Sequence, residues 1–270
     1  MIYDCFMFFN ELEVLEIRLN ELNDIVDQFV IVEATKTHSN KNKPLYFDEN
    51  KGAFKDFSEK IVHIIVDDYP EFEDAWTYEK FQRNQIAQAL QTCEPEDIII
   101  ISDVDEIPRH QAILEAAQTP GIKILEQKMY YYYLNMINYK QPIWLLGSRV
   151  LRKKEFLKPA SEIRRTKGPI IKNGGWHFSY LGGVDRIITK IESFAHQEFN
   201  LDSIKKELKV EQLIQNGKDI LGRKSRKFKY KPLPIDHSFP KYLIENQDKF
   251  QNLIKEPEPF SLIEKIKHLF

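Results

Sequence analysis

The segment that joins the most apolar run of the chain to three carboxylates is the clearest candidate for chemistry. It reads IIIISDVDEIP and places Asp103, Asp105 and Glu106 directly after four isoleucines. In an extended chain, residues two apart point to the same side, so Asp103 and Asp105 are predicted to present their carboxylates together. Such oxygen ligands suit Mg²⁺ or Mn²⁺, and a metal held there can clamp a diphosphate and stabilise a leaving group. The alternative is a solvated acidic turn after a core strand, since Asp-x-Asp is common by itself.

The elements before this segment predict how it is positioned. Strand-like runs (IYDCFMFF, QFVIVEA, KIVHIIVDD and EDIIIISD) alternate with predicted helices at about 11–22 and 75–91, for which Asn10 and Asp74 are the predicted N-caps. This alternation predicts an α/β fold with a largely parallel sheet flanked by helices. Ligands of such sheets bind at the carboxyl ends of the strands, where the acidic segment lies. Glu33 and the Asp67–Asp68 pair end two other strands and are expected at the same edge.

The second half of the chain has a different pattern. KMYYYYLNMIN and PIWLLGSRVLRK are aromatic strand-like segments without helices between them, and they predict mixed or antiparallel additions to the sheet. KNGGWHFSYLGG is a glycine-punctuated strand. VDRIITKIESFAHQEF and LDSIKKELKVEQLIQNG follow as helices, the second of which stops near Gly217.

Composition excludes several classes of protein. The 270 residues are 42% hydrophobic with a formal net charge of −2, which fits one large domain and indicates no polyanionic partner such as nucleic acid. Two cysteines, Cys5 and Cys93, exclude a disulfide scaffold or a cysteine zinc site. No run approaches the ~18 apolar residues of a membrane span, and the start of the chain is unlike a signal peptide. We therefore expect a soluble, cytoplasmic protein.

Three motifs in order, FQRNQI, SDVDEIP and GGWHFSYLGG, resemble glycosyltransferase family 17, the family of the β-1,4-mannosyl-glycoprotein β-1,4-N-acetylglucosaminyltransferases. The resemblance runs from about Ile2 to Asn200. It implies a GT-A type fold and a metal-dependent, inverting transfer of a sugar, N-acetylglucosamine by this resemblance, from a UDP-sugar to a glycan hydroxyl. It further implies one catalytic domain over 1–220, with a nucleotide-sugar half (1–108) and an acceptor half (109–220). The eukaryotic members have a membrane anchor that is not recognisable here, so we expect a microbial enzyme of surface polysaccharide or glycoconjugate synthesis.

The resemblance also suggests residues for the donor. Asp103 and Asp105 match the family's Asp-x-Asp, with Asp105 as the more direct ligand of Mn²⁺ or Mg²⁺ and Asp103 facing the ribose or a metal-bound water. Glu33 ends the second strand, where a carboxylate could accept a hydrogen bond from a ribose hydroxyl. Arg83 and Asn84 lie on the helix before the metal strand, and an arginine there can pair with phosphate or position Asp103. Each has a structural alternative: a solvated strand end or a surface residue of an amphipathic helix.

The glycine-rich strand suggests residues for the acceptor and for a third metal ligand. Gly174 and Gly175 permit close backbone approach, so that an acceptor sugar could lie against Trp176. His177 and His196 are both candidate metal ligands, and His237 is a third. The sequence does not choose among these histidines, and a lone histidine is more often a hydrogen-bonded structural residue.

Inverting transfer needs one general base for the acceptor hydroxyl. Asp185, at the start of the helix after LGG, is the first candidate by the resemblance, followed by Glu192 and Glu198. An acidic residue in the first turn of a helix also stabilises the helix dipole without any catalytic role.

The C-terminal segment, 221–270, contains the basic stretch RKSRKFKYK and ends in the amphipathic FSLIEKIKHLF. We expect it to pack on the domain or to contact an anionic inner-membrane surface. The expected acceptor of the enzyme is a glycan or a lipid-linked glycan. The competing function for the whole chain is a non-catalytic protein of the same fold that binds a nucleotide sugar or a carbohydrate.

Overall fold

Four neighbouring parallel strands and their helices form the first part of the fold. The structure, a computed structural model, describes residues 1–223 and 227–257. The elements of this part, in order, are β1 (Ile2–Phe8), α1 (Leu12–Leu22), β2 (Gln28–Ala34), α2 (Tyr46–Asn50), a 3-10 segment (Lys51–Phe57), β3 (Ile61–Val66), α3 (Ala75–Asn84), α4 (Ile86–Ala89) and β4 (Ile98–Asp103).

Shorter strands extend this sheet in the second part. The elements, in order, are β5 (Glu106–Pro108), α5 (His110–Ala117), β6 (Lys123–Tyr131), β7 (Met136–Asn138), β8 (Ile143–Trp144), β9 (Arg149–Arg152), α6 (Ala160–Ile163), β10 (Ile170–Ser179), α7 (Gly183–Ser193), α8 (Glu207–Gln215), β11 (Tyr230–Pro232) and α9 (Lys241–Glu245), with 3-10 segments at Lys153–Glu155, Gln197–Phe199 and Gln247–Leu253.

Within the described residues, one sheet has the strand order β11-β7-β6-β9-β4-β1-β2-β3. β3, β2, β1 and β4 are parallel, whereas β9 pairs antiparallel with both β4 and β6. β10 lies off this path, parallel to β6 and antiparallel to β5. The predicted α/β fold, with a parallel first part and a mixed second part, is therefore confirmed.

The core lies on both faces of this sheet. α1 and α5 cover one face, on which Leu15, Leu19 and Ile113 are buried. α4 and α6 cover the other face, where Ile86 and Ile163 are buried. Because both faces are covered, the strands are apolar without alternation, which is the pattern of the isoleucine run.

Two predicted helix boundaries illustrate local chemistry. Asp74 caps α3 as predicted, since its side chain accepts a hydrogen bond from the backbone N–H of Thr77. Asn10 was predicted to cap α1, but Glu11 holds the N-cap position, so that prediction is wrong. The predicted single helix at 75–91 is divided between α3 and α4 at Gln85.

The C-terminal segment is partly described. β11 pairs with β7, and α9 packs on α1, so both belong to the domain. Residues 224–226 of the basic stretch and the amphipathic end at 260–270 lie outside the described residues. The predicted membrane contact of this segment stays a prediction.

Candidate functional site

The acidic turn links β4 to β5 in the middle of the sheet. β4 lies between β1 and β9, so the turn reaches the carboxyl edge with strands on both sides. Asp103 ends β4 with its side chain 31% exposed, whereas Asp105 and Glu106 are buried. The carboxylates are thus at the centre of the edge where parallel α/β folds bind ligands.

Arg18, on α1, donates hydrogen bonds to the backbone of this turn. Its guanidinium is fully buried and pairs with Asp4 of β1 through two hydrogen bonds of 2.6 and 2.7 Å. It also donates to the carbonyl oxygens of Asp103, Val104 and Glu106 at 2.9–3.2 Å. A planar fork of donors is suited to several acceptors at once, so this one side chain fixes the direction in which the carboxylates point.

Two further arginines neutralise the exposed side of the turn. Arg83 of α3 donates to Asp103 at 2.8 Å and to Glu79 at 2.6 Å. Arg164, directly after α6, donates to Asp103 at 2.7 Å and to both oxygens of Glu106. Burial acts to raise the pKa of Asp103, but the two guanidinium groups outweigh it and the pKa is lowered.

Asp105 faces a different set of partners. Lys190 of α7 donates to Asp105 at 3.0 Å and to Glu11 at 3.1 Å. His177 of β10 faces the other oxygen of Asp105 at 3.7 Å. Burial acts to raise the pKa of Asp105, but the Lys190 ammonium and then His177 lower it well below its ordinary value. Burial likewise acts to lower the pKa of Lys190, and Asp105 and Glu11 raise it well above its ordinary value.

The donor set of this turn fits a hard cation. Asp103 and Asp105 offer oxygen ligands, and Mg²⁺ sites often use one or two carboxylates completed by water and substrate phosphate. The Nδ1 atom of His177 is buried and has no hydrogen-bond partner among the described residues. The described residues contain no group of three or more His, Cys, Asp or Glu arranged as metal ligands.

Two predicted donor residues have structural contacts instead. Glu33 is buried, and its carboxylate accepts hydrogen bonds from the Phe47 backbone N–H at 3.0 Å and from His63 at 3.1 Å. Asn84 accepts from the backbone N–H of Ser161 at the start of α6. This hydrogen bond stabilises the start of α6, the helix that precedes Arg164, and it occupies the Asn84 side-chain oxygen.

The predicted acceptor residues are corrected by their burial. Trp176 is 0% exposed, and its indole N–H donates to the Ser238 carbonyl at 2.9 Å, so no ring face is open to a sugar. Gly175 has φ +145°, and a Cβ there would collide with the Ile107 carbonyl oxygen. A Cβ on Gly174 would meet the Leu125 and Glu126 backbone. The glycines allow β10 to pack between β5 and β6.

The other predicted residues lie away from the acidic turn. His196 pairs with Glu198 at 2.7 Å and packs on Trp76, while His237 is exposed. Glu192 pairs with Lys205 at 2.7 Å. Asp185 is exposed, on a different face of α7 from Lys190, and its side chain has no hydrogen bond or ion pair within the described ranges. Of the predicted histidines, the structure brings only His177 to the turn.

Four residues of the site were not predicted from the sequence: Glu11, Arg18, Arg164 and Lys190. A signal existed for Arg18, which occupies the apolar face of α1 between Leu15 and Leu22. Its partner Asp4 likewise interrupts an apolar strand. Charges at two core positions predict a buried pair, because an unpaired buried charge is costly. Arg164 and Lys190 gave no comparable signal.

No helix among the described residues is long and apolar enough to cross a membrane.

A carboxylate turn at the carboxyl edge of an α/β sheet, faced by cationic side chains, lies where α/β proteins of this class bind their ligands. The family comparison is more specific. The family model for glycosyltransferase family 17 matches residues 1–256, and the chain belongs to this family.

Two curated relatives are similar over most of this chain. Beta-1,4-mannosyl-glycoprotein 4-beta-N-acetylglucosaminyltransferase of Rattus norvegicus is 26% identical over 298 aligned residues, which cover 94% of this chain and 55% of the rat protein. The Homo sapiens protein of the same name is 25% identical, over 92% of this chain and 54% of its own length. The chain thus spans about half the length of the curated relatives that it matches.

Solved structures are similar at a lower level. S. aureus TarS 1-349 has a TM-score of 0.38 and 12% identity, covering 66% of this chain and 60% of that one. HddC from Yersinia pseudotuberculosis has a TM-score of 0.35 and 12% identity, covering 67% and 89%. Scores this low carry no functional argument.

Proposed function

We propose that this protein is an inverting, metal-dependent glycosyltransferase that moves N-acetylglucosamine from a UDP-sugar to a glycan hydroxyl. The observation that carries the proposal is the acidic turn, held by Arg18 and faced by Arg83, Arg164 and Lys190. The choice of N-acetylglucosamine is supported by the names of the relatives, and the choice of UDP by the family resemblance. We further propose a surface polysaccharide or glycoconjugate as the acceptor class.

Asp103 and Asp105 would hold Mn²⁺ or Mg²⁺. Such an ion supplies positive charge to the diphosphate that leaves. Arg83 and Arg164 approach Asp103 from two helices, and each carries donors beyond those used on the carboxylates. In this proposal they would donate to a phosphate oxygen beside Asp103. The His177 imidazole faces one oxygen of Asp105 at 3.7 Å and would help to orient this carboxylate.

Calorimetry tests the donor part of this proposal. UDP and UDP-N-acetylglucosamine would be titrated with Mn²⁺ and with EDTA into wild type, Asp105→Asn and the matched control Asp56→Asn, whose aspartate is exposed. We expect binding that requires the metal, is weakened at least tenfold in Asp105→Asn and is unchanged in the control. Thermal unfolding would establish that Asp105→Asn is folded. Metal-independent binding, or equal affinity in both variants, would contradict the metal role.

Turnover separates an enzyme from a binding protein of the same fold. UDP release from UDP-N-acetylglucosamine would be followed with a panel of acceptors that includes a β-mannoside and chitobiose. We expect release to increase with one of these acceptors. Tight donor binding without any UDP release would favour the non-catalytic alternative.

A further inference from the structure

Glu11 brings a further carboxylate close to the acidic turn from another element. It holds the N-cap position of α1, directly after β1, so it lies at the same edge of the sheet. One carboxylate oxygen accepts from Lys190 at 3.1 Å, and the same ammonium donates to Asp105 at 3.0 Å. The oxygens of Glu11 and Asp105 that share this ammonium are therefore no more than about 6 Å apart.

A small cleft opens beside this shared ammonium. Its polar lining comes from the β1–α1 connection, the first turn of α1, the residue after β10 and α7, and includes Asn10, Glu11, Glu13, Tyr180, Arg186 and Lys190. The Glu11 side chain is 16% exposed, so the carboxylate is accessible but largely removed from bulk water. The cleft is therefore lined by a partly exposed carboxylate and by the ammonium of Lys190, which also pairs with Asp105.

The contacts of Glu11 leave capacity for a substrate. An ionised carboxylate has about four lone-pair sites. Lys190 takes one of them, and the backbone N–H of Asn10 takes one on the other oxygen at 3.1 Å. These two contacts fix the orientation of the carboxylate and leave sites free for a hydroxyl.

We propose that Glu11 is the general base of the transfer reaction, an assignment that rests on the proposed function. Glu11 takes the proton of the acceptor hydroxyl. The acceptor oxygen forms a bond to the anomeric carbon of the donor sugar from the face opposite the diphosphate. The bond from that carbon to the diphosphate oxygen breaks, and its electron pair stays on the phosphate. The proton then passes from Glu11 to solvent, which leaves the glycoside and the nucleoside diphosphate.

Other carboxylates near the cleft are occupied or face elsewhere. Both oxygens of Glu13 are paired with Arg186 at 2.8 Å. Glu106 is buried and accepts from Arg164 and Trp144. Asp185 is exposed on a different face of α7. Glu11 is thus the described carboxylate that combines access, proximity to Asp105 and remaining acceptor sites.

The test compares Glu11→Gln with wild type in two measurements. UDP release from UDP-N-acetylglucosamine with Mn²⁺ would be followed with the β-mannoside and with water alone as acceptors, and UDP affinity would be measured by calorimetry. General base catalysis typically contributes about 10²–10⁴-fold. We expect kcat to fall by at least about 100-fold while the Kd of UDP stays within about threefold. Glu115→Gln, on an exposed position of α5, is the matched control and is expected to match wild type.

Three results would overturn the assignment. Glu11→Gln could keep more than a tenth of the wild-type kcat. It could lose UDP binding together with activity, which would place Glu11 at the donor. Asp185→Asn could lose activity while Glu11→Gln keeps it, which would give the role to Asp185. Absence of UDP binding in wild type would instead contradict the proposed function, and the base assignment with it.

Discussion

At the scale of single residues, the acidic turn depends on the fully buried guanidinium of Arg18. Arg18 connects α1, β1 and the acidic turn through hydrogen bonds of 2.6–3.2 Å. Its position is unusual because α1 otherwise presents aliphatic side chains to the sheet. The pair with Asp4 offsets the cost of burying either charge, and the remaining donors order a turn that would otherwise be set only by its own backbone.

Replacement of Arg18 by methionine is expected to destabilise the protein by about 3–5 kcal/mol, because Asp4 would remain buried without a partner. Urea unfolding would measure this change. The neighbour of Arg164, Arg165, is exposed, and Arg165→Met is expected to change stability by about 0.5 kcal/mol at most. The double variant Asp4→Leu/Arg18→Met should recover part of the loss. A cost of the single variant no larger than that of the control would show that the pair is not important for folding.

At the scale of elements, β10 packs between β5 and β6 in the sheet, whereas it was predicted to contact an acceptor sugar. The strand is parallel to β6 and antiparallel to β5, and its register shifts between Ile171 and Gly175. The shift brings His177 opposite Glu106 and thus beside the acidic turn. The glycine pair is needed because neighbouring backbone leaves no room for a side chain.

A Gly175→Ala substitution tests this role. The methyl group would collide with the Ile107 carbonyl oxygen, and alanine is strained at φ +145°. We expect a loss of about 2 kcal/mol or more, which corresponds to a Tm decrease of at least about 4 °C for a chain of this size. Gly52→Ala is the control, because a Cβ there meets nothing within 4 Å. Equal melting temperatures for the two variants would contradict the packing argument.

At the scale of the whole molecule, the described residues of the C-terminal segment, up to 257, contribute to the core. Phe239, Leu243, Phe250 and Leu253 are buried with Trp176, Phe178 and residues of α1 in one cluster. The Trp176 indole and Arg109 both donate to the Ser238 carbonyl, which ties this segment to β10 and to the start of α5. The segment between β11 and residue 257 is therefore expected to unfold with the sheet.

Truncation of Phe250 to alanine is expected to cost about 3–5 kcal/mol, because the ring is 1% exposed and its removal leaves a cavity. Unfolding would be followed by far-ultraviolet circular dichroism and tryptophan fluorescence. We expect coincident transitions at lower urea in Phe250→Ala and an unchanged midpoint in Leu208→Ala, whose side chain is exposed. A separate early transition, with the main one unchanged, would show that the segment folds independently of the sheet.

The sequence by itself determined those features of this protein that depend on local chemistry. The isoleucine run predicted a covered strand, its end predicted carboxylates at the ligand-binding edge, and Asp74 predicted the start of α3. Such features depend on neighbouring residues and on the periodicity of burial, so one chain suffices to infer them.

Only the tertiary structure decided which distant residues meet at the turn. Arg164 is 61 residues from Asp103, and Lys190 is 85 residues from Asp105. Trp176 was predicted to face an acceptor, yet it is buried and donates to the Ser238 carbonyl. Whether an aromatic ring is exposed depends on which distant segments pack over it. Glu11 looked like an ordinary residue of a helix start. Its nearness to Asp105 follows from β1 and β4 being neighbours and from Lys190 of α7 pairing with both carboxylates, and chain folding alone sets that arrangement.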